Sequence, residues 1–177
     1  FKDFIEFVAP FDVKGTMFVV ERHLDPHEDD QVNIYSPTER RVRRFSAKER
    51  ADRFMGSEAT IDDFEGFSGR VLDYKWTYIG KRPLLYIADS KNFLLQSNGP
   101  YSRLPVDRWQ IRDCYVVEVR SIWDGHPYGS RVLFLDAQTG GVALSLVFDR
   151  EDMLWKTFQT VYRGPAPQNS LDDPFET

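Results

Sequence analysis

The stretch Asp29–Gly80, DDQVNIYSPTERRVRRFSAKERADRFMGSEATIDDFEGFSGRVLDYKWTYIG, decides how this chain folds, because strand-like runs, turns and most of the unusual charge meet there. It opens on an acidic pair followed by Val32-Asn33-Ile34-Tyr35, a β-branched and aromatic run suited to a pleated surface. Ser36-Pro37-Thr38-Glu39 comes next; proline fixes φ and the flanking polar residues favour a turn. Gln31–Tyr35 and Arg40–Phe45 are therefore expected to pair as a hairpin. Ala47–Arg53 contains good helix formers, and Ser46 and Glu49 have capping-box spacing. A helix of about seven residues is marginal, so a polar turn is the alternative. Thr60 is placed to cap a second short helical turn at Ile61–Phe64, and Gly66 and Gly69 break the structure after it. Tyr74–Ile79 then alternates, with Tyr74, Trp76 and Tyr78 on one face and Lys75, Thr77 and Ile79 on the other.

Outward from this stretch the signals remain those of strands. Upstream, Phe4–Pro10 reads as a short strand or one turn of helix, and Thr16–Arg22 as a strand. Downstream, Lys81-Arg82-Pro83 reads as a turn and Leu84–Ala88 as its return strand. Asp89–Val106 is irregular, with Ser97-Asn98-Gly99-Pro100 its strongest turn. Trp109–Ile122, Arg131–Leu135, Val142–Phe148 and Leu154–Tyr162 are strands, separated by turns at Asp124-Gly125, Asp136–Gly141 and Asp149–Asp152. Short strands at this spacing predict an antiparallel meander. The expected organisation is one all-β domain over residues 1–163, with residues 164–177, rich in Pro, Asn, Ser and Asp, as a flexible tail.

Composition narrows the function. The 177 residues suffice for one domain with a sizeable core, and 41% hydrophobic with 29% charged content is ordinary for a globular protein. The aromatic share of 15% is high, which favours strands. A net charge of −5 gives no general attraction to nucleic acid or anionic membranes. No apolar run approaches the roughly 20 residues of a membrane-spanning helix. No basic-then-apolar leader is visible at Phe1. The single cysteine, Cys114, excludes an internal disulfide and reads as a buried small hydrophobe.

The candidate chemistry is mostly charge. Along a strand, Arg40, Val42 and Arg44 point one way and Arg41, Arg43 and Phe45 the other. Neither face can be buried without partners, and Asp29, Asp30, Asp62 and Asp63 are available. At least one bidentate arginine–carboxylate bridge is therefore expected; an anionic head group at a cavity mouth is the alternative partner. His23 and His27 are four apart, but Pro26 argues against the helix that would aim both at one metal, so they read as a polar loop. His126 sits in a turn. Asp62 and Asp63 read as a helix-terminal charge or as arginine partners. No nucleophile elbow or phosphate loop is present. The chain reads as a non-enzyme with no catalytic residue, metal or cofactor.

The strings ERHLDPHEDD, IYSPTERRVRR, ADRFMGS, DDFEGFSGR and YKWTYIG, followed in order by YVVEVR, HPYGSRVLFLDAQTG and FDREDMLWKTF, resemble an uncharacterised Gram-negative envelope family. Its members look like outer-membrane lipoprotein-sorting proteins of the LolA/LolB type, and the resemblance covers roughly Phe11–Tyr162. It implies a mainly β fold: a single curved antiparallel sheet, or half-barrel, with one or two short helices against its concave face. It also implies a periplasmic or outer-membrane-associated location, with a signal and some preceding sequence outside this chain. The implied role is a carrier or binding protein for a lipid or other hydrophobic molecule. The alternative is a non-enzymatic interaction module of an outer-membrane or efflux-type assembly, with an outer-membrane or transporter protein as partner. Face alternation nominates Phe64, Phe67, Trp76, Tyr78, Tyr115 and Val117 as ligand-lining residues, Arg41 and Arg43 at the mouth, and Ser46–Gly69 as a lid.

Overall fold

A computed structural model describes residues 2–46, 49–92, 96–99 and 104–163. The expected tail at 164–177 and part of the turn at Ser97–Pro100 lie outside the described residues. Two antiparallel sheets make the frame. In the first, β1 (Lys2–Glu6), β2 (Met17–Glu21), β3 (Gln31–Ser36) and β4 (Arg41–Phe45) follow one another in chain order. In the second, β5 (Tyr74–Tyr86), β8 (Gln110–Ser121), β9 (Ser130–Asp136), β10 (Val142–Phe148) and β11 (Leu154–Gln159) run in the order β11-β10-β9-β8-β5. A small ribbon of β6 (Ser97–Asn98) and β7 (Leu104–Pro105) lies in the connection between β5 and β8.

The mainly β class is as expected, but the single sheet is not: β4 and β5 are separate edges. The chain between them is too polar and glycine-rich to carry the ladder across. It forms four short 3-10 turns, Glu49–Ala51, Phe54–Gly56, Ile61–Gly66 and Val71–Asp73, in place of the one or two helices. Both capping signals survive in that reduced form. Glu49 accepts the Ser46 amide at 2.7 Å and Asp63 accepts the Thr60 amide at 2.8 Å. A capped segment this short does not propagate into a helix.

The first sheet buries one face. Val20 lies opposite Val32 and Phe18 opposite Ile34, so period-2 alternation turns these four the same way. Val20 and Val32 pack on Ile61, with Phe45, Phe54 and Phe64 around them. The rings of Phe18 and Phe54 are 4.6 Å apart.

The second sheet buries residues of its central strands on both faces. Val119, Leu133 and Val147 are buried beside Arg131 and Ser145 on the face towards the 3-10 segment. Tyr86, Cys114 and Ala143 form the core of the other face. Cys114 is fully buried, as expected, and burial pushes its thiol pKa up. On that face Asp136 accepts bonds from Arg112 at 3.0 and 3.1 Å, from the Tyr86 hydroxyl, and from the amides of Gln138 and Thr139. Burial alone would raise this carboxyl, but the guanidinium and the other donors outweigh it and hold the pKa well below the carboxylate range.

The turn expected at Lys81-Arg82-Pro83 does not form. β5 runs on for 13 residues against β8, with a register shift between Tyr78 and Gly80. Gly80 takes a positive φ of 151°, open to a residue without a Cβ, and so absorbs the bulge without reversing the chain. The four strands β8–β11 fall within a few residues of their expected limits. Packing makes a direct forecast: Ile61→Ala removes the side chain joining the 3-10 segment to the first sheet and should cost about 2–5 kcal/mol in denaturant unfolding. Ile79→Ala, at the exposed bulge, should stay within about 0.5 kcal/mol.

Candidate functional site

The centre of the molecule is a buried set of charges built around the adjacent carboxylates Asp62 and Asp63. Both are buried, and each is neutralised separately. Asp62 Oδ1 receives both Nε and Nη2 of Arg50 at 2.9 and 2.8 Å, two nitrogens of one guanidinium on a single carboxylate oxygen. Arg50 also reaches Asp30 at 2.8 Å, just before β3, and the Ser68 carbonyl at 2.6 Å. Arg22, following β2, bonds Ser68 Oγ at 2.7 Å and approaches Asp30 at 3.4 Å. Burial would lower the Arg50 pKa, but Asp62 and Asp30 raise it on balance, so the cation is firmly held.

Asp63 turns to the other sheet. It is paired with Arg131 of β9 and accepts the Tyr128 hydroxyl at 2.7 Å. Arg131 also bonds the Gly66 carbonyl at 2.6 Å. Gly66 has φ of 85°, and a Cβ there would sit 2.6 Å from a methyl of Val142, so glycine is required for this approach. Lys156 of β11 donates to Tyr128 Oη at 2.8 Å and lies 4.0 Å from the centre of the Trp155 ring. Burial pushes the Lys156 pKa down, against the pull of Asp63.

His126 joins the same network. Its Nδ1 accepts the Tyr128 amide at 3.0 Å, so the neutral ring carries its proton on Nε2, 3.4 Å from Tyr74 Oη. Tyr74 in turn donates to Asp62 at 3.0 Å. Burial lowers the imidazole pKa despite the nearby Asp62, and burial with the Asp62 charge raises that of Tyr74. The arrangement is a hydrogen-bonded relay that fixes the two sheets to the 3-10 segment. Arg50, Thr60, Ile61, Asp62 and Asp63 are all buried, so this part of the expected lid is a clamp.

The arginine expectation is corrected here. Asp62 and Asp63 are taken by Arg50 and Arg131, and Asp29 by Arg70 at 2.6 Å. Arg40, Arg41, Arg43 and Arg44 are exposed, and among the described residues none has an acidic group within 4 Å. Their cross-strand neighbours from Val32 to Ser36 are all uncharged, so the strand register places no carboxylate beside them. His23 pairs with Glu28 at 2.6 Å in the surface loop. Among the described residues no group of three or more His, Cys, Asp or Glu side chains is placed to hold a metal ion.

The proposed lining residues fall along one route. Phe64 and Phe67 line a cleft of about 240 Å³ with Phe4, Ile5 and Val20. Phe67 meets Trp76 edge-on at 5.2 Å. Trp76 and Tyr78 share a face of β5, Val117 lies directly across from Tyr78, and the Tyr78 and Tyr115 rings are 6.3 Å apart. Trp76, Tyr78 and Tyr115 are 37, 62 and 44% exposed, an aromatic surface left uncovered. Arg43 lines a second cleft of about 180 Å³ with Phe18, Ile34, Phe45, Phe54 and Ile61, whereas Arg41 lies outside both clefts.

Sequence reasoning missed Arg50, Tyr74, His126, Tyr128, Arg131 and Lys156 as members of the central network. The available signal was the acidic pair itself: two adjacent carboxylates in an apolar context, Ile61 and Phe64, need two cations. Two outcomes are expected. Asp63→Asn leaves the Arg131 charge buried and should cost about 3–5 kcal/mol in denaturant unfolding, whereas an Asp63→Leu/Arg131→Met pair should cost less than the two single changes summed. Because folding depresses the His126 pKa, the unfolded chain binds its proton first. Stability is then full above about pH 6.5 and falls as pH drops below it, by at most about 1.4 kcal/mol per pH unit. His126→Gln should flatten that part of a thermal-midpoint profile, leaving the loss below about pH 4 expected from Asp136.

Comparison with solved structures places the fold. A putative outer membrane lipoprotein-sorting protein domain from Vibrio parahaemolyticus is 24% identical, with a TM-score of 0.59, covering 88% of this chain and 54% of that one. A DUF1329 family protein from Desulfovibrio piger is 22% identical, with a TM-score of 0.55 and coverage of 87% and 54%. A LolA superfamily protein from Nitrosomonas europaea is 12% identical, with a TM-score of 0.45 and coverage of 88% and 54%. This chain thus spans about half the length of the solved chains it matches. Comparison with curated proteins yields no match. A family profile described as protein of unknown function (DUF1329) matches residues 1–174, and this chain belongs to that family.

Proposed function

We propose that this domain is a periplasmic or outer-membrane-associated carrier that holds a lipid or other hydrophobic molecule and hands it on without chemical turnover. The observation that carries the reading is the aromatic route from the Phe64–Phe67 cleft across Trp76 to Tyr78, Tyr115 and Val117. The cleft is smaller than the roughly 300–1,000 Å³ of a drug-sized pocket. It suits one end of an acyl chain, with the remainder lying on the uncovered aromatic face as in a half-barrel. Apolar burial of about 25 cal/mol per Å² supplies the affinity, and flat rings supply a low-entropy contact surface. The relative from Vibrio parahaemolyticus, described as a putative outer membrane lipoprotein-sorting protein domain, fits the reading. Among the described residues no helix is long and apolar enough to cross a membrane.

A second reading, an interaction module of an outer-membrane or efflux-type assembly with an outer-membrane or transporter partner, is favoured by a different observation. The four β4-region arginines are exposed, and among the described residues none has a carboxylate within 4 Å. Native mass spectrometry of protein purified from a Gram-negative periplasm, with solvent extraction, separates the two. A stoichiometric lipid or fatty acid is the expected result for the carrier; a bare mass with no uptake of a fluorescent fatty acid removes it. Tyr78→Ser, at a side chain 62% exposed, should weaken uptake of the fatty-acid probe about fivefold or more. Its cost to stability should stay within about 0.5 kcal/mol.

A further inference from the structure

β4 is an edge strand that pairs only with β3, so the backbone N–H and C=O groups on its outer side have no ladder partner in the described sheet. Such an edge is a template for another extended chain. Its charge is dense, with Arg41, Arg43 and Arg44 inside one five-residue strand. Several cations on other strands meet carboxylates: Lys2 pairs with Glu21 at 2.9 Å, Lys81 with Asp113 at 2.8 Å, and Arg120 with Glu118 at 2.8 Å. Buried Arg50 and Arg131 are neutralised as well. On β4 the opposing residues are Ser36, Tyr35, Ile34, Asn33 and Val32, so no acid lies directly across from the arginines; Arg43 shares a cleft with Glu39, Glu49 and Asp52, and Arg44 one with Asp29, Asp30, Asp62 and Asp73, none within 4 Å among the described residues. On a chain of net charge −5, β4 thus carries three exposed arginines, none with a carboxylate within 4 Å among the described residues.

We infer that β4 is a docking edge for an acidic, extended segment of a partner protein, which adds to the first sheet as an antiparallel strand. The inference rests on the interaction-module reading and supplies its surface and partner chemistry. Alternation chooses this partner over a membrane. Arg41 and Arg43 leave the sheet on the side of Phe45, and Arg44 leaves on the side of Val42. A planar bilayer reaches one side of the sheet, whereas a strand laid along the edge reaches both. Its backbone takes the open ladder, and its acidic side chains fall directly across from arginines at cross-strand distance. Arginine adds bidentate geometry to that match.

The test uses an end-blocked heptapeptide alternating glutamate with valine, followed by fluorescence anisotropy at low salt with the whole chain. Three companions are needed: the glutamine analogue, the acidic peptide N-methylated at alternate backbone amides, and phosphatidylglycerol vesicles. The acidic peptide is expected to bind, and each modified peptide to bind about tenfold more weakly or worse. Arg41→Glu/Arg43→Glu should weaken the acidic peptide about tenfold. Arg41→Gln/Arg43→Gln, which introduces no new repulsion, should weaken it less, and higher salt should weaken it further. Circular dichroism of the variants should match the parent, since these side chains are exposed. Acidic-peptide binding indifferent to both variants overturns the β4 assignment and leaves the interaction-module reading standing elsewhere on the surface. Equal binding of the N-methylated peptide overturns strand addition. Vesicle binding that depends on Arg41 and Arg43 without peptide binding assigns the edge to lipid and overturns the inference.

Discussion

Two adjacent buried carboxylates set the terms for everything around them. A buried charge is stable only when paired and hydrogen-bonded, and Asp62 and Asp63 are too close in sequence to share a single partner comfortably. They turn to different cations: Asp62 to Arg50 and through it to Asp30 beside β3, Asp63 to Arg131 on β9. The segment that carries them is consequently tied to both sheets at once. That is why residues 61–66 adopt an irregular path, with Glu65 at φ of 54° and Gly66 at 85°, rather than a regular helix. Breaking either pair exposes the molecule to the full cost of a charge stranded in a poor dielectric, so the clamp is rigid.

The same clamp sorts the aromatic residues. Phe64 is drawn into the core of the first sheet and Phe67 towards Tyr74 and Trp76 of the second. The cleft they line lies between β1 and β2 of the first sheet and the segment that carries the clamp. Beyond the clamp nothing in the described chain covers Trp76, Tyr78 and Tyr115, so their exposure follows from where the clamp ends. The exposed rings and the buried clamp therefore occupy different parts of the molecule, and the exposed ring contacts are free to vary without loosening the centre.

Arginines divide along the same line. Those inside, Arg50 and Arg131, maintain the architecture, and those on β4 take no part in it. The sequence cluster RRVRR looked like the natural partner of Asp62-Asp63, yet the hairpin register sends it to an edge. A cation at a sheet edge guards against indiscriminate pairing.

Much of the local structure was legible in the residues. β8–β11 and the β3–β4 hairpin lie near their expected places, because period-2 alternation and turn chemistry act over a few neighbouring residues. Cys114 was legible for the same reason, lying in an apolar alternating run. The motif series identified the family. The turn expected at Lys81-Arg82-Pro83 was not read correctly: whether the chain reverses there or runs on past a bulge at Gly80 depends on the register of the facing β8, which the local string does not contain. Which cation met which carboxylate, that His126 is buried in a relay, and that the strands form two sheets were decided only by the tertiary structure. Those pairings join residues 12 to 68 positions apart. At such separations several arginines are chemically equivalent, and only the three-dimensional path of the backbone selects between them.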